Sequence, residues 1–196
     1  TSYQIRPVHY WEHGHDGAQE KLDYIVEERA IALVYNGISH AVMMATPAHL
    51  EEFAVGFSLS EGIITKASQL YDINLKTCEK GIEVAIDISS QQMSALKLQR
   101  RNLVGRTGCG LCGSESLEQA ISPLKCVTPQ PLPSADAIQR ALSQLNEHQK
   151  LQALTGAVHG VAWCDNTGDI KLLREDVGRH NALDKLIGAL TFNKVD

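Results

Sequence analysis

Two cysteines carry the strongest chemical potential in this chain. In residues 105–118, "GRTGCGLCGSESLE", Cys109 and Cys112 stand three apart, with Gly108, Gly110 and Gly113 around them. Such a pair can hold a metal, close a disulfide or carry a reactive sulfur. A structural zinc site needs about four ligands, and this loop offers two. His159 and His180 are possible further ligands, but their spacing does not demand the role. Zinc nucleoside deaminases place H-x-E before P-C-x-x-C. Here Val161 stands two places after His159, and no proline precedes the first cysteine. A thioredoxin-like dithiol remains possible because a short helix, "SESLEQAI", is expected after the loop. The glycines favour another use. They leave the backbone free and exposed, which suits a sulfur that must meet different partners.

A sulfur carrier works through its thiolate, and positive neighbours lower the thiol pKa. Arg106 lies three residues before Cys109, and Lys97, Arg100 and Arg101 lie just upstream. Alone, this stretch reads as a solvated helix face. Beside a thiol loop, its cations could also hold an anionic, phosphate-bearing acceptor.

A second group of polar residues occurs in "LLREDVGRHNALDKLIG", residues 172–188. A strand is expected to deliver Arg174, Glu175, Asp176, Gly178, Arg179 and His180 to the start of a helix. Free amides at a helix start suit an anion, and Gly178 would allow close approach. Asp176 is also sound capping chemistry, and His180 could be a structural histidine.

The elements that must position these groups follow from pattern. "AIALVYNGISHAVMMATP" reads as a β-hairpin turning at Asn36-Gly37. Thr46-Pro47 then predicts an N-cap and a first-position proline. Leu50, Phe53, Ala54 and Phe57 form the single buried stripe of a helix that ends near Gly62. A second hairpin turns at Glu79-Lys80-Gly81, with Ile82, Val84, Ile86 and Ile88 on its inner face. Ser134 caps a helix with Ile138, Leu142 and Leu145 on one face. "TGAVHGVAWC" and "IKLLRED" are strands joined by a turn over residues 165–168. The last helix carries a stripe of Leu183, Leu186, Ile187 and Leu190. The pattern predicts an α/β fold with a mixed sheet, hairpins and flanking helices. No internal repeat is evident.

Domain organisation is read as a polar N-terminal arm at 1–20 and an N-terminal part at 21–128. A proline-rich linker at 129–134 and a C-terminal α/β part at 135–196 follow. His13 and His15 could bind a metal weakly, but the arm reads as solvated or as an edge strand.

Composition limits the function classes. The chain has 196 residues, 43% hydrophobic and 21% charged, as in a globular protein. No apolar run reaches the roughly 18–20 residues of a membrane span. No apolar leader opens the chain, so the expectation is cytoplasmic, with no membrane partner. A net charge of −5 argues against a nucleic-acid partner. The five cysteines (Cys78, Cys109, Cys112, Cys126 and Cys164) are an odd set, which argues against a disulfide scaffold. Cys126 and Cys164 are read as structural, and Cys78 as incidental.

"GRTGCGLCG" and "REDVGRHNALDK" together resemble the signature stretches of the FdhD family, the formate dehydrogenase accessory sulfurtransferases. "ALVYNGISHAVMMATPAHLEEFAVGFSLSEGII" and "LTGAVHGVAW" are similar to the same family, so the resemblance runs from about residue 29 to 188. It implies a cytidine-deaminase-like fold, a cytoplasmic homodimer and no intrinsic metal. It implies that sulfur comes as a persulfide from a cysteine desulfurase. Delivery is to the molybdenum cofactor in its bis-guanine-dinucleotide form, for formate dehydrogenase. On this resemblance Cys109 carries the persulfide and Cys112 is the second catalytic cysteine. Arg106, Gly108, Gly110, Gly178, Arg179 and His180 are assigned to the guanine-nucleotide-type ligand. Family chains continue past the point equivalent to Asp196, which implies a shortened C-terminal part here. Two rival readings stay open: a zinc-dependent deaminase-like enzyme and a non-catalytic cofactor chaperone.

Overall fold

The computed structural model describes residues 2–14, 17–104 and 127–195, without the side chains of 99–104. The described elements run β1 (Tyr3–Tyr10), β2 (Gln19–Val26), β3 (Arg29–Tyr35), β4 (Ile38–Ala45), α1 (Leu50–Ser60), β5 (Leu70–Cys78), β6 (Gly81–Ile88) and α2 (Ser90–Val104). Then come α3 (Ala135–His148), α4 (Lys150–Thr155), β7 (His159–Cys164), β8 (Ile170–Asp176) and α5 (Arg179–Phe192). The class is mixed α/β, as the pattern predicts.

The central sheet has the order β4-β3-β6-β5. Its two hairpins are antiparallel, and β3 and β6 join them in parallel. The first hairpin turns where both Asn36 and Gly37 have positive φ, at 45° and 79°, as a two-residue turn of this type requires. Asn36 does more than turn the chain. Its amide group donates to the Ile88 carbonyl at 3.0 Å and accepts from the Ile88 N–H at 2.8 Å. That ties the first hairpin to the end of β6.

The core lies between this sheet and the helices on one face. Ile31, Leu33 and Tyr35 from β3 meet Val84, Ile86 and Ile88 from β6. Leu50, Phe53, Ala54 and Phe57 from α1 close over them, with Met93 and Leu96 of α2. The buried Tyr35 hydroxyl is satisfied by Ser58 Oγ at 2.8 Å.

Helix α1 is buried on more than the expected stripe, because Val55, Gly56 and Ser58 are buried too. The reason is α5, which packs antiparallel beside it. A Cβ at Gly56 would strike the Asp184 backbone, and one at Gly188 would strike the Glu52 backbone. The two helices therefore touch main chain to main chain at reciprocal glycines. This close approach also revises the expected leucine stripe of α5. Leu183 is 45% exposed, while Ala182, Lys185, Leu186, Gly188 and Ala189 are buried. Small residues, rather than a leucine row, set this contact.

The start of α1 also differs from expectation. Thr46 does not cap it; the helix begins at Leu50 behind His49, which adopts the left-handed conformation with φ 55°. Thr46 is instead fully buried and bonded to distant side chains. By contrast, Ser134 caps α3 as predicted, accepting from the Ala137 N–H at 3.1 Å. The shared face of Ile138, Leu142 and Leu145 lines a groove beside β7. Ile138 and Leu142 remain 49% and 64% exposed there.

Strands β1 and β2 pair as an antiparallel ribbon, so the stretch read as a solvated arm or an edge strand contains a strand. Strands β7 and β8 form a second ribbon, turned by the Asp165 carboxylate, which accepts from the N–H groups of Thr167 and Asp169. Among the described residues no helix is long and apolar enough to cross a membrane.

Candidate functional site

The junction between β8 and α5 gathers the polar residues singled out above, and the fold sorts them into two sets. The first set is internal. Asp176, the last residue of β8, is fully buried, as is Lys185 two turns into α5. Asp176 Oδ2 lies 2.5 Å from Lys185 Nζ and accepts from the Thr46 N–H at 3.0 Å and its hydroxyl at 2.8 Å. Lys185 also donates to the Thr46 carbonyl and hydroxyl oxygens at 3.0 and 2.7 Å. Asp176 Oδ1 accepts from the Gly178 N–H at 2.8 Å and from Asn181 at 3.1 Å. Asn181 in turn donates to the Met44 carbonyl at 2.8 Å. Burial pulls the Lys185 ammonium below the ordinary lysine pKa, and Asp176 opposes that pull.

This knot pins the end of β4, the end of β8 and the start of α5 together. A buried charge pair holds only when its remaining donors and acceptors are satisfied, and here they are. Gly178 serves the knot as well. Its N–H is taken by Asp176, and a Cβ there would lie 2.8 Å from the Asn181 amide nitrogen. The room at Gly178 is filled by the protein's own asparagine.

The second set faces outward. Arg179 and His180 open α5 and are both exposed. His180 sits close enough to Asp184 to lower that carboxyl's pKa, against a larger upward push from burial. Among the described residues no side chain caps the start of α5, and these two side chains share its exposed end.

Arg174 and Glu175, one strand position apart, do different jobs. Arg174 grips Glu52 of α1 through Nε at 2.5 Å and Nη2 at 2.6 Å. Glu175 caps α4, accepting from the Leu151 and Gln152 N–H groups at 2.9 and 2.8 Å. His49 lies at the edge of the first pair, its Nδ1 3.4 Å from Glu52. Burial holds the His49 imidazole below the ordinary histidine pKa; Glu52 opposes this, while Arg174 and Lys185 add to it.

Cys109, Cys112, Arg106, Gly108 and Gly110 lie outside the described residues, as do the "SESLEQAI" segment and Cys126. The side chains of Arg100 and Arg101 do too. Among the described residues, no group of three His, Cys, Asp or Glu side chains could hold a metal. Cys78 is exposed, and burial pushes the half-buried Cys164 thiol up.

Sequence reasoning passed over Thr46, His49, Glu52 and Lys185. A signal for His49 existed. His49-Leu50-Glu51 has H-x-E spacing and precedes Cys109-x-x-Cys112, the order that the comparison through His159 lacks. In the structure the imidazole meets Glu52 rather than Glu51. Thr46 and Lys185 gave no such signal, since their partners lie 130 and 9 residues away.

Comparison with known proteins shows the family. Residues 26–196 match the FdhD/NarQ family. The chain is 56% identical over 174 residues to the sulfur carrier protein FdhD of Cupriavidus necator, covering 89% of this chain and 60% of that protein. It is 50% identical over 177 residues to the protein of the same name from Chromobacterium violaceum, covering 89% and 66%. The relative from Variovorax paradoxus, with the same name, is 47% identical over 178 residues, covering 91% and 64%. The chain thus spans about two thirds or less of these relatives. A crystal structure from Desulfotalea psychrophila, described as a formate dehydrogenase accessory protein, shares the fold with a TM-score of 0.71. It is 23% identical and covers 100% of this chain and 72% of that one. This chain belongs to the FdhD/NarQ family.

Proposed function

We propose that this protein is a sulfur carrier acting through a persulfide on Cys109. The observation that carries the reading is the C-x-x-C pair among glycines in a chain whose relatives are named sulfur carrier proteins. The donor is a cysteine desulfurase. The Cys109 thiolate attacks the outer sulfur of the donor persulfide; a new S–S bond forms, the donor's S–S bond breaks, and the donor leaves as a thiolate. Arg106 and the basic residues before it favour the anionic sulfur. Cys112 stands close enough in sequence to serve as the second catalytic thiol.

The acceptor is the molybdenum cofactor in its bis-guanine-dinucleotide form, which is substrate here rather than a resident group. The outer sulfur passes to the metal centre, which supplies the two electrons that reduce it to sulfide, and the Cys109 thiolate returns. Arg179 and His180, together with Gly108, Gly110 and Gly178, serve the guanine-nucleotide end of that substrate. The exposed start of α5 supports the placement of Arg179 and His180, because a cation and an imidazole stand in solvent at a helix start. Gly178 acts there by admitting Asn181 to the knot that holds this end in place. The client is a formate dehydrogenase, and the protein works as a cytoplasmic homodimer.

The test is transfer of sulfur-35 from cysteine through a desulfurase. Wild-type protein should take up label that reductant releases, and Cys109→Ala should take up none. Label retained by Cys109→Ala, or stoichiometric zinc bound through Cys109 and Cys112, would overturn the reading.

A further inference from the structure

A cleft of about 450 Å³ lies between the start of β1, the turn into α1, the α3–α4 junction and β8. That is within the size range of small-molecule sites. Tyr3, Leu151, Leu154 and Leu173 give it an apolar wall, and His49, His148, Lys150, Arg174 and Glu175 supply its polar groups. Neither Arg179 nor His180 lines it, so it is separate from the exposed end of α5.

The charges in the cleft are unevenly matched. Glu52 occupies one edge of Arg174 with both carboxylate oxygens. Both oxygens of Glu175, the carboxylate in the lining, are bonded to α4 amides. Lys150 has no ion pair among the described residues. The histidines are also set in one sense. His148 Nδ1 lies 3.0 Å from the Gln144 carbonyl oxygen, which can only accept, so Nδ1 carries the proton. His49 likewise turns Nδ1 toward Glu52, at 3.4 Å. Nε2 is then the open atom of each ring, a lone pair when neutral and a donor when protonated.

We propose that this cleft binds a small organic anion with a flat apolar body. Its carboxylate or phosphate meets Lys150 and the two imidazoles, and its body lies along Leu151, Leu154 and Leu173. Affinity rises on acidification, because the His49 imidazole in the lining gains a positive charge facing the anion. Around His49, Glu52 favours that charge while burial, Arg174 and Lys185 resist it. Both Glu175 oxygens are taken by the α4 amides.

The test is a calorimetric titration of the 196-residue chain with phenyl phosphate and with benzoate, below and above the ordinary histidine pKa of 6.5. Saturable binding of at least one probe is expected, and binding of benzoate, which keeps its charge across that range, should be tighter on the acidic side. Lys150→Ala should weaken it about tenfold, the loss of one charge-assisted hydrogen bond, and Leu154→Ala should weaken it through the apolar wall. Both positions are exposed enough that the urea midpoint should hold, which checks folding. Failure of both probes to saturate would overturn the proposal. So would wild-type affinity in Lys150→Ala, or inorganic phosphate binding as tightly as phenyl phosphate.

Discussion

Asp176 and Lys185 show how one residue can be read in two ways. As sequence, Asp176 is a plausible helix-start carboxylate and Lys185 carries no signal. In the fold both are fully buried and share Thr46. Removing one partner strands the other charge away from water. Lys185→Met should therefore cost about 3–5 kcal/mol, seen as a lowered urea midpoint. The paired change Asp176→Asn with Lys185→Met should lose less than the sum of the single changes, because it leaves no unpaired charge. Additive losses would show that the two groups are not coupled.

At the scale of elements, the contact that matters most for the site is α1 against α5. Glu52 and Gly56 lie one turn apart on α1, and Asp184 and Gly188 one turn apart on α5, so each glycine receives the other helix's main chain. Glu52 also reaches Arg174 from this helix. A methyl group at either glycine must push the helices apart. Gly56→Ala and Gly188→Ala should each cost about 1–3 kcal/mol, although alanine is the better helix former. Thermal unfolding of both variants measures this. A rise in Tm for either would mean that the two backbones are not in contact there.

At the scale of the molecule, the family match begins at residue 26, so nearly all of the β1–β2 ribbon lies before it. No residue of the ribbon belongs to the buried core cluster. A two-stranded ribbon is marginal alone, and this one docks chiefly on α4. Deleting residues 1–25 should leave a cooperative fold with a stability loss of no more than about 2 kcal/mol, the scale of burying one large apolar side chain. It should also abolish anion binding in the cleft, because Tyr3 is lost. Circular dichroism in urea and the same titration separate the two effects. Collapse of the fold would show that the ribbon is integral to the core.

Short-range chemistry was legible in the residues themselves. Asn36-Gly37 announces a hairpin because few other pairs tolerate two successive positive φ angles. The stripe of α1, the alternation of β6 and the Ser134 cap follow from helical and strand periods and from unsatisfied first-turn amides. The thiol pair among glycines and the polar β8–α5 junction were visible in the same way, and together they resembled one family. The roles of Thr46, Glu52, Arg174 and Lys185 were not visible. Their partners are chosen by how α1, β4, β8 and α5 pack, with Thr46 and Asp176 130 residues apart. A period or a cap is a property of neighbouring residues, whereas a buried ion pair or a cleft exists only after distant segments have excluded water from between them. That is why the tertiary structure alone turned Thr46 from a helix cap into a core anchor and showed the cleft around Lys150.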